Sequence, residues 1–366
     1  MRGGGWRSFA LRRRNLFGLG LALGFLLLAL FADFIASDRP IVLRKAGTLY
    51  LLPNLIEYPR LRGFVPGDLR PGDWALWPPV RHGPYTIPAL AELEGSLPQP
   101  PGPDHPLGTD SAGRDVLARL LHGTRTSLGV GIAAALVQVS IGLLLGVLAG
   151  YLGGFVDVAV AGAAEVLLSF PLLLLLLAAQ GVLDRTTLIS TMAVIALTRW
   201  ADTSRLVRAE ALRVREMPYV EASRALGSSR LRTLLVHVLP NCLSPALVAA
   251  TFGVGSAILL ESALSFLGFG APEPTASWGL LMANGFQDVL DPNARVLVLL
   301  PGLAIFLAVT AFNLIGEGVR DALDPRHQGA VERSAFITSD QKRKLSPMPM
   351  PRRGGGNGVG GGTPAT

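Results

Sequence analysis

The sequence predicts an all-α fold that crosses a membrane six times, with an insertion on one side and a short amphipathic helix on the other. Three observations carry that expectation. Half of the 366 residues are hydrophobic while only 16% are charged, a balance foreign to soluble chains. The apolar residues gather into uncharged runs close to the roughly 20 residues needed to cross about 30 Å of hydrocarbon. The net charge of +7 sits mainly in arginines flanking those runs, which orients membrane helices instead of lining a nucleic-acid face.

Leu16 to Ala32 is the first span, preceded by Arg12, Arg13 and Arg14. A cleaved signal peptide is the alternative. Phe34-Ile35-Ala36 makes a poor cleavage site and further spans follow, so a retained helix is expected. Ser127 to Tyr151 is the second span, with Gly150, Gly153 and Gly154 in the turn after it. The third runs from about Val158 to Leu183 and contains Glu165 and Pro171, with Asp184-Arg185 as its polar boundary. The fourth starts near Thr186 and continues past Arg199 as a charged helix. The fifth covers about Asn241 to Leu260, and the sixth Val296 to Ile315.

Charge sets the expected orientation. Arg199, Arg205, Arg208, Arg213, Arg215, Arg224, Arg230 and Arg232 fall between spans four and five, which places that connection and both termini in the cytoplasm. Glu261, Glu273, Asp288 and Asp291 fall between spans five and six, outside. The expected organisation is therefore residues 1–36 as N-terminus and first span, 37–126 as an external insertion, 127–318 as the helical core with a cytoplasmic loop at 204–240, and 319–366 as a cytoplasmic tail, in part disordered.

Within the insertion, Gly47 to Leu52 reads as strand-forming. Trp74, Trp77 and Tyr85 either fill a small core or anchor at the interface, the core being favoured. From His105 onward an amphipathic helix is expected at the membrane surface, with Asp110 as its N-cap, an apolar face of Val116, Leu117, Leu120 and Leu121, and its end at Gly123.

Cys242 is the only cysteine, so neither an intrachain disulfide nor a structural zinc cluster is expected. The histidines, His82, His105, His122, His237 and His327, are scattered, which speaks against a metal site or a membrane enzyme. Glu165 and Glu261 read as helix-end residues more readily than as a cargo pathway, and no central chain of ionisable residues supports a proton relay or an ion-coupled transporter. Gln138, Gln180, Thr251, Ser256, Thr310 and Asn313 remain as polar groups that could line a neutral passage.

The cytoplasmic connection is the most informative stretch. Pro218 suits the first turn of a helix and Gly227 its end, and Tyr219, Ala222 and Leu226 fall on one narrow apolar stripe. Such a helix either docks in a partner's groove or packs under its own bundle.

Glu221-Ala222-Ser223, then Gly227, then Leu239-Pro240 resemble the EAA loop of importer-type ABC permeases, with the family's spacing throughout. Ser223 stands where the family has a second Ala, and His237 where it has Ile, as in the peptide-permease versions of the loop. His105 to Asp110, Gly113 to Val116, Gly150 to Gly154, Leu264 to Gly270 and Ser277-Trp278-Gly279 are similar to segments of dipeptide, oligopeptide and nickel permeases. Ser37 to Pro40, Leu49-Tyr50 and Trp74 to Arg81 are similar to the microcin C-type peptide subgroup.

The resemblance implies a type I ABC importer permease of the bacterial inner membrane, with Tyr219, Glu221, Ala222, Ser223, Leu226, Gly227, Leu239 and Pro240 in an ATPase-coupling element. It also implies peptide cargo, with nickel or another small solute as the alternative. The expected partners are a second permease subunit, two ABC ATPase subunits or a fused ATPase, a periplasmic peptide-binding protein and membrane lipid. This chain is expected to bind no cofactor: Lys45, Lys342 and Lys344 are its only lysines and none sits in a Walker A loop, so ATP and Mg belong to the partner subunits.

Overall fold

A computed structural model of the chain describes residues 12–87, 97–183, 185–288 and 290–323. Asp184 and the tail after Leu323 lie outside the described residues.

Helix α1, Arg13–Ile35, is the first span, and its Leu16, Phe17, Leu23, Leu26 and Leu30 are exposed, as lipid-facing side chains should be. Arg12 and Arg14 pair with Asp321 and Glu317 at one end. The insertion then opens with three short strands: β1, Val42–Lys45, pairs antiparallel with both β2, Thr48–Leu51, and β3, Trp74–Leu76. The strand expected over Gly47 to Leu52 is thus β2, turned back on β1 at Ala46 and Gly47. The aromatic core does not form as expected, because Trp74 and Tyr85 are about half exposed and only Trp77 stacks, on Phe64 at 6.4 Å. A three-stranded sheet this small has too little second layer to cover them.

Helix α2, Val116–Leu152, is 37 residues long and absorbs both the expected surface helix and the second span. Gly123 therefore ends nothing. It lies inside α2, where an added Cβ would come 3.1 Å from the Trp278 ring. Asp110 is not the cap either: Asp115 is, its side chain accepting from the Ala118 amide at 2.7 Å. A helix interior tolerates one glycine for about 1 kcal/mol, and Trp278 packing against that glycine offsets it.

After Gly153 and Gly154, both at positive φ, come α3, Gly154–Ser169, and α4, Leu172–Gly181. The expected continuous third span is broken here, with a 93° bend between the two. Pro171 lacks an N–H and forces Phe170 into an extended conformation, φ −92° and ψ 142°, which stops the helix.

Helix α5, Leu188–Arg215, leaves the apolar region at Arg199 and continues as a charged helix, as expected. The short α6, Pro218–Ala225, and α7, Arg230–Thr233, lead through a π turn at Leu234–Val238 into α8, Leu239–Phe266. Helix α9, Trp278–Gln287, and α10, Arg295–Leu323, complete the bundle. Among the described residues four helices are long and apolar enough to cross a membrane, or five if the bent α3–α4 pair is one span. Helix α5 is long enough, but its arginines keep it out of that set.

Helix α2 is the hub, packed most extensively on α5 and then on α8. Glycines permit this approach: a Cβ on Gly146 would lie 2.6 Å from the Ser204 carbonyl oxygen and 2.9 Å from Val207 Cβ. Gly146→Val should push α2 and α5 apart and cost about 1–3 kcal/mol of stability, seen as a lower thermal midpoint in detergent; an unchanged midpoint would contradict the packing.

Candidate functional site

Helix α6 begins at Pro218 and stops at Gly227, whose φ of +84° suits a residue without a Cβ. Its one buried side chain, Val220, sits with Val147 and Tyr151 of α2, Val207, Ala211 and Val214 of α5, Val238 of the π turn, and Cys242 and Ala246 of α8. Leu239 packs against the same cluster, and Pro240 lies in the first turn of α8. Ser223 donates to Ser228 Oγ at 3.0 Å and so closes the turn around Gly227. Tyr219 meets the His237 ring edge-on at 6.0 Å, and the Asn241 amide donates to Tyr219 Oη at 3.3 Å.

The opposite side of α6 is bare. Tyr219 is 47% exposed and Leu226 88%, with Ala222 and Glu221 exposed beside them. The stripe read from the sequence is therefore not packed under the chain's own bundle.

A cavity of about 440 Å³ opens between α2, α5, α8 and α10. Gln138, Ser256 and Asn313 line it, together with Arg199, Asp202 and Thr203. Gln138 is 3% exposed, and its buried Oε1 has no hydrogen-bond partner. Arg199 pairs with Asp202 at 3.2 Å across the rim. Gln180 and Thr251 are elsewhere: Gln180 donates to Thr191 at 3.2 Å, and Thr251 spends its hydroxyl on the Val248 carbonyl at 2.8 Å. Thr251 makes a bond within its own helix, while Gln180 joins α4 to α5 and has a buried Oε1 without a partner; a polarity argument cannot distinguish either from lining a passage.

The buried carboxylate of α8, Glu261, accepts from Ser265 at 2.8 Å and Ser127 at 3.1 Å, and it joins α8 to α2 without lining the cavity. At the same end of the bundle, Asp110 Oδ2 accepts from Arg114 Nε at 2.8 Å and lies 3.5 Å from Arg119 Nε. Arg114 also donates to Glu273 at 2.6 Å, and Asn284 donates to the same carboxylate at 2.9 Å. Burial raises the Glu273 pKa, but the Arg114 and Asn284 hydrogen bonds and the two arginine charges outweigh it and hold it below the usual range.

The family described as binding-protein-dependent transport system inner membrane component matches residues 142–328, which takes in α6, the π turn and most of the cavity wall. The chain belongs to that family. It is a multi-pass inner-membrane component of a binding-protein-dependent transport system, and the component is a permease, not itself an enzyme.

Among its relatives, the Peptidoglycan transport system permease protein YejE of Agrobacterium fabrum is 30% identical over 88% of this chain and 92% of its own length. The Di/tripeptide transport system permease protein DppC of Pseudomonas aeruginosa is 41% identical over 61% of this chain and 73% of its own. The Dipeptide transport system permease protein DppC of Alkalihalophilus pseudofirmus is 39% identical over 62% and 74% respectively.

Sequence reasoning overlooked Arg199, Asp202 and Thr203 as cavity residues because they read as the charged cytoplasmic continuation of a helix. A signal was present: Thr203 is three residues before Leu206 and four after Arg199, so these residues share one face of α5.

Proposed function

We propose that this chain is one of two permease subunits of an ATP-driven importer that moves oligopeptides or peptide-like compounds inward from a periplasmic binding protein. The observation that carries this is the uncovered Tyr219, Ala222 and Leu226 stripe at the EAA spacing. An apolar helix face left open beside a membrane domain fits a groove on a separate ATPase subunit. ATP and Mg act on that partner, as two ABC ATPase subunits or a fused one.

Helices α2, α5 and α8 supply both the cluster that grips Val220 and the walls of the 440 Å³ cavity. A displacement of α6 therefore reaches Gln138, Ser256 and Asn313 through rigid helices, which suits alternating access. In this reading α5 is a span, the α3–α4 pair is another, and the total is six.

The peptide cargo draws on the relatives, which are named as transport permeases for dipeptides, di/tripeptides and peptidoglycan. The YejE relative aligns over too much of the chain to omit the insertion, which supports placing the protein in the subgroup that carries it, the microcin C-type. Deleting this chain should abolish uptake of a labelled peptide and leave nickel accumulation unchanged. The reverse pattern would assign the importer to metal.

In this reading the insertion is periplasmic and α6 with both termini is cytoplasmic, which the arginine distribution supports. Ile87 is 64% exposed in the insertion. A cysteine there, in a Cys242→Ser background, should react with an impermeant thiol reagent in spheroplasts. Protection until lysis would invert the topology.

A further inference from the structure

A second cavity, of about 630 Å³, lies at the α6 end of the bundle and is lined by Tyr151, Leu152, Arg215, Arg224, Ser228 and Arg230. Half of that lining is arginine, and no carboxylate is part of it. Arg215 donates to the Gly150 carbonyl at 3.3 Å, and its acidic neighbour Glu216 is a loose 3.8 Å away and 75% exposed. Arg224 lies over the Tyr151 ring at 5.2 Å. Among the described residues neither Arg224 nor Arg230 has a carboxylate within ion-pair reach, and Asp157 on the adjoining turn is already held by Arg208. Cations gathered around one cavity repel one another unless an anion sits between them.

The surroundings are those of a membrane boundary. Tyr151 and Leu152 end the apolar helix α2, and Leu152, Phe155 and Val158 leave an apolar apron beside the arginines, at 47%, 86% and 72% exposure. A ligand with a negative head and an apolar body matches that order of groups, and the planar guanidinium fork matches a phosphate.

We propose that this cavity binds the phosphate headgroup of an anionic phospholipid, with its acyl chains along Leu152, Phe155 and Val158. An acidic patch on the ATPase is the competing occupant. At about 100° per residue Arg224 projects roughly opposite to Ala222 on α6, away from the stripe assigned to the ATPase, and the apolar apron has no use in an ion pair with a protein. The inference is independent of the cargo.

The test uses the complex purified in mild detergent, with its thermal midpoint followed against added phosphatidylglycerol, phosphatidylcholine or inorganic phosphate. Phosphatidylglycerol should raise the midpoint, while phosphatidylcholine and phosphate should not. Arg224→Gln and Arg230→Gln should each weaken the apparent affinity about fivefold, and about thirtyfold together, from a contribution of about 1 kcal/mol per basic residue near a lipid surface. Replacing the same two residues by Lys should keep most of the preference.

Equal effects of the two lipids, or a preference that survives the double Gln variant, would overturn the proposal. Inorganic phosphate acting as well as lipid would make this a free-anion site. Loss of the ATPase chains from the double variant during purification would assign the arginines to the protein interface.

Discussion

Ala222→Trp should leave the chain folded and inserted yet remove the stimulation of ATP hydrolysis by binding protein and cargo, together with transport. Ala222 is exposed and touches none of its own core, so the indole has no clash within this chain. Only a partner seated on the stripe would meet it. Overpacking a close contact costs about 1–3 kcal/mol, which corresponds to a roughly five- to hundredfold loss of coupled assembly or stimulated rate.

Gly227→Val should act in the same direction by another route. At φ +84° nothing crowds the missing Cβ, so the penalty is the left-handed backbone alone, roughly 1–2 kcal/mol, and it falls on the exit from α6. Val220 keeps α6 anchored in both variants. Complexes carrying Ala222→Trp that retain their ATPase chains and hydrolyse ATP at the full stimulated rate would disprove the coupling role of α6.

Asp110→Ala should be the most destabilising change at the insertion end of the bundle. Asp110 is fully buried and faces Arg114 at 8% and Arg119 at 0% side-chain exposure, so its removal leaves the fully buried Arg119 with only Glu273, 3.8 Å away, an anion it must share with Arg114. Removing one partner of a buried pair costs about 3–5 kcal/mol, a fall of about 4–7 °C in thermal midpoint for a chain of this size. Glu273→Gln removes the other anion, but that side chain is 44% exposed, so water takes over part of its role and the cost should stay near or below about 1 kcal/mol.

The same geometry sets a pH dependence. Because the Glu273 pKa is lowered by folding, its contribution is complete above the ordinary glutamate range and is lost as pH falls through the depressed folded value. Thermal midpoints of the two variants and the parent against pH would check both statements. An Asp110→Ala midpoint equal to that of the parent would refute the clamp.

Composition and local chemistry determined a good deal. Apolar runs fix which segments can bury in lipid, so the starts of α1, α8 and α10 were legible to within about three residues, while α8 and α10 run on past the expected ends at Leu260 and Ile315 to Phe266 and Leu323. Pro218 and Gly227 bracketed α6 because each acts through its own backbone, without reference to distant residues. The spacing from Glu221 to Pro240 and the separated permease-like segments pointed to the family that residues 142–328 match.

Other features depended on neighbours far along the chain. Asp110 resembles a cap by type and position, yet Arg114, Arg119 and Glu273 make it the centre of an ion-pair cluster, and Asp115 caps instead. Gly123 resembles a helix end until Trp278 packs on it. Pro171 sits inside a run whose apolar content reads as one continuous span, and the 93° bend between α3 and α4 appears only in the structure. Gln138, Gln180 and Thr251 are indistinguishable as polar residues in apolar helices, and only the convergence of α2, α5, α8 and α10 put Gln138 on a cavity and left Gln180 bridging α4 to α5 and Thr251 bonded within α8. The stripe on α6 was visible as a period, but a period cannot say which side faces inward. Val220, buried among residues from three other helices, decides that, and leaves Tyr219, Ala222 and Leu226 open to a partner.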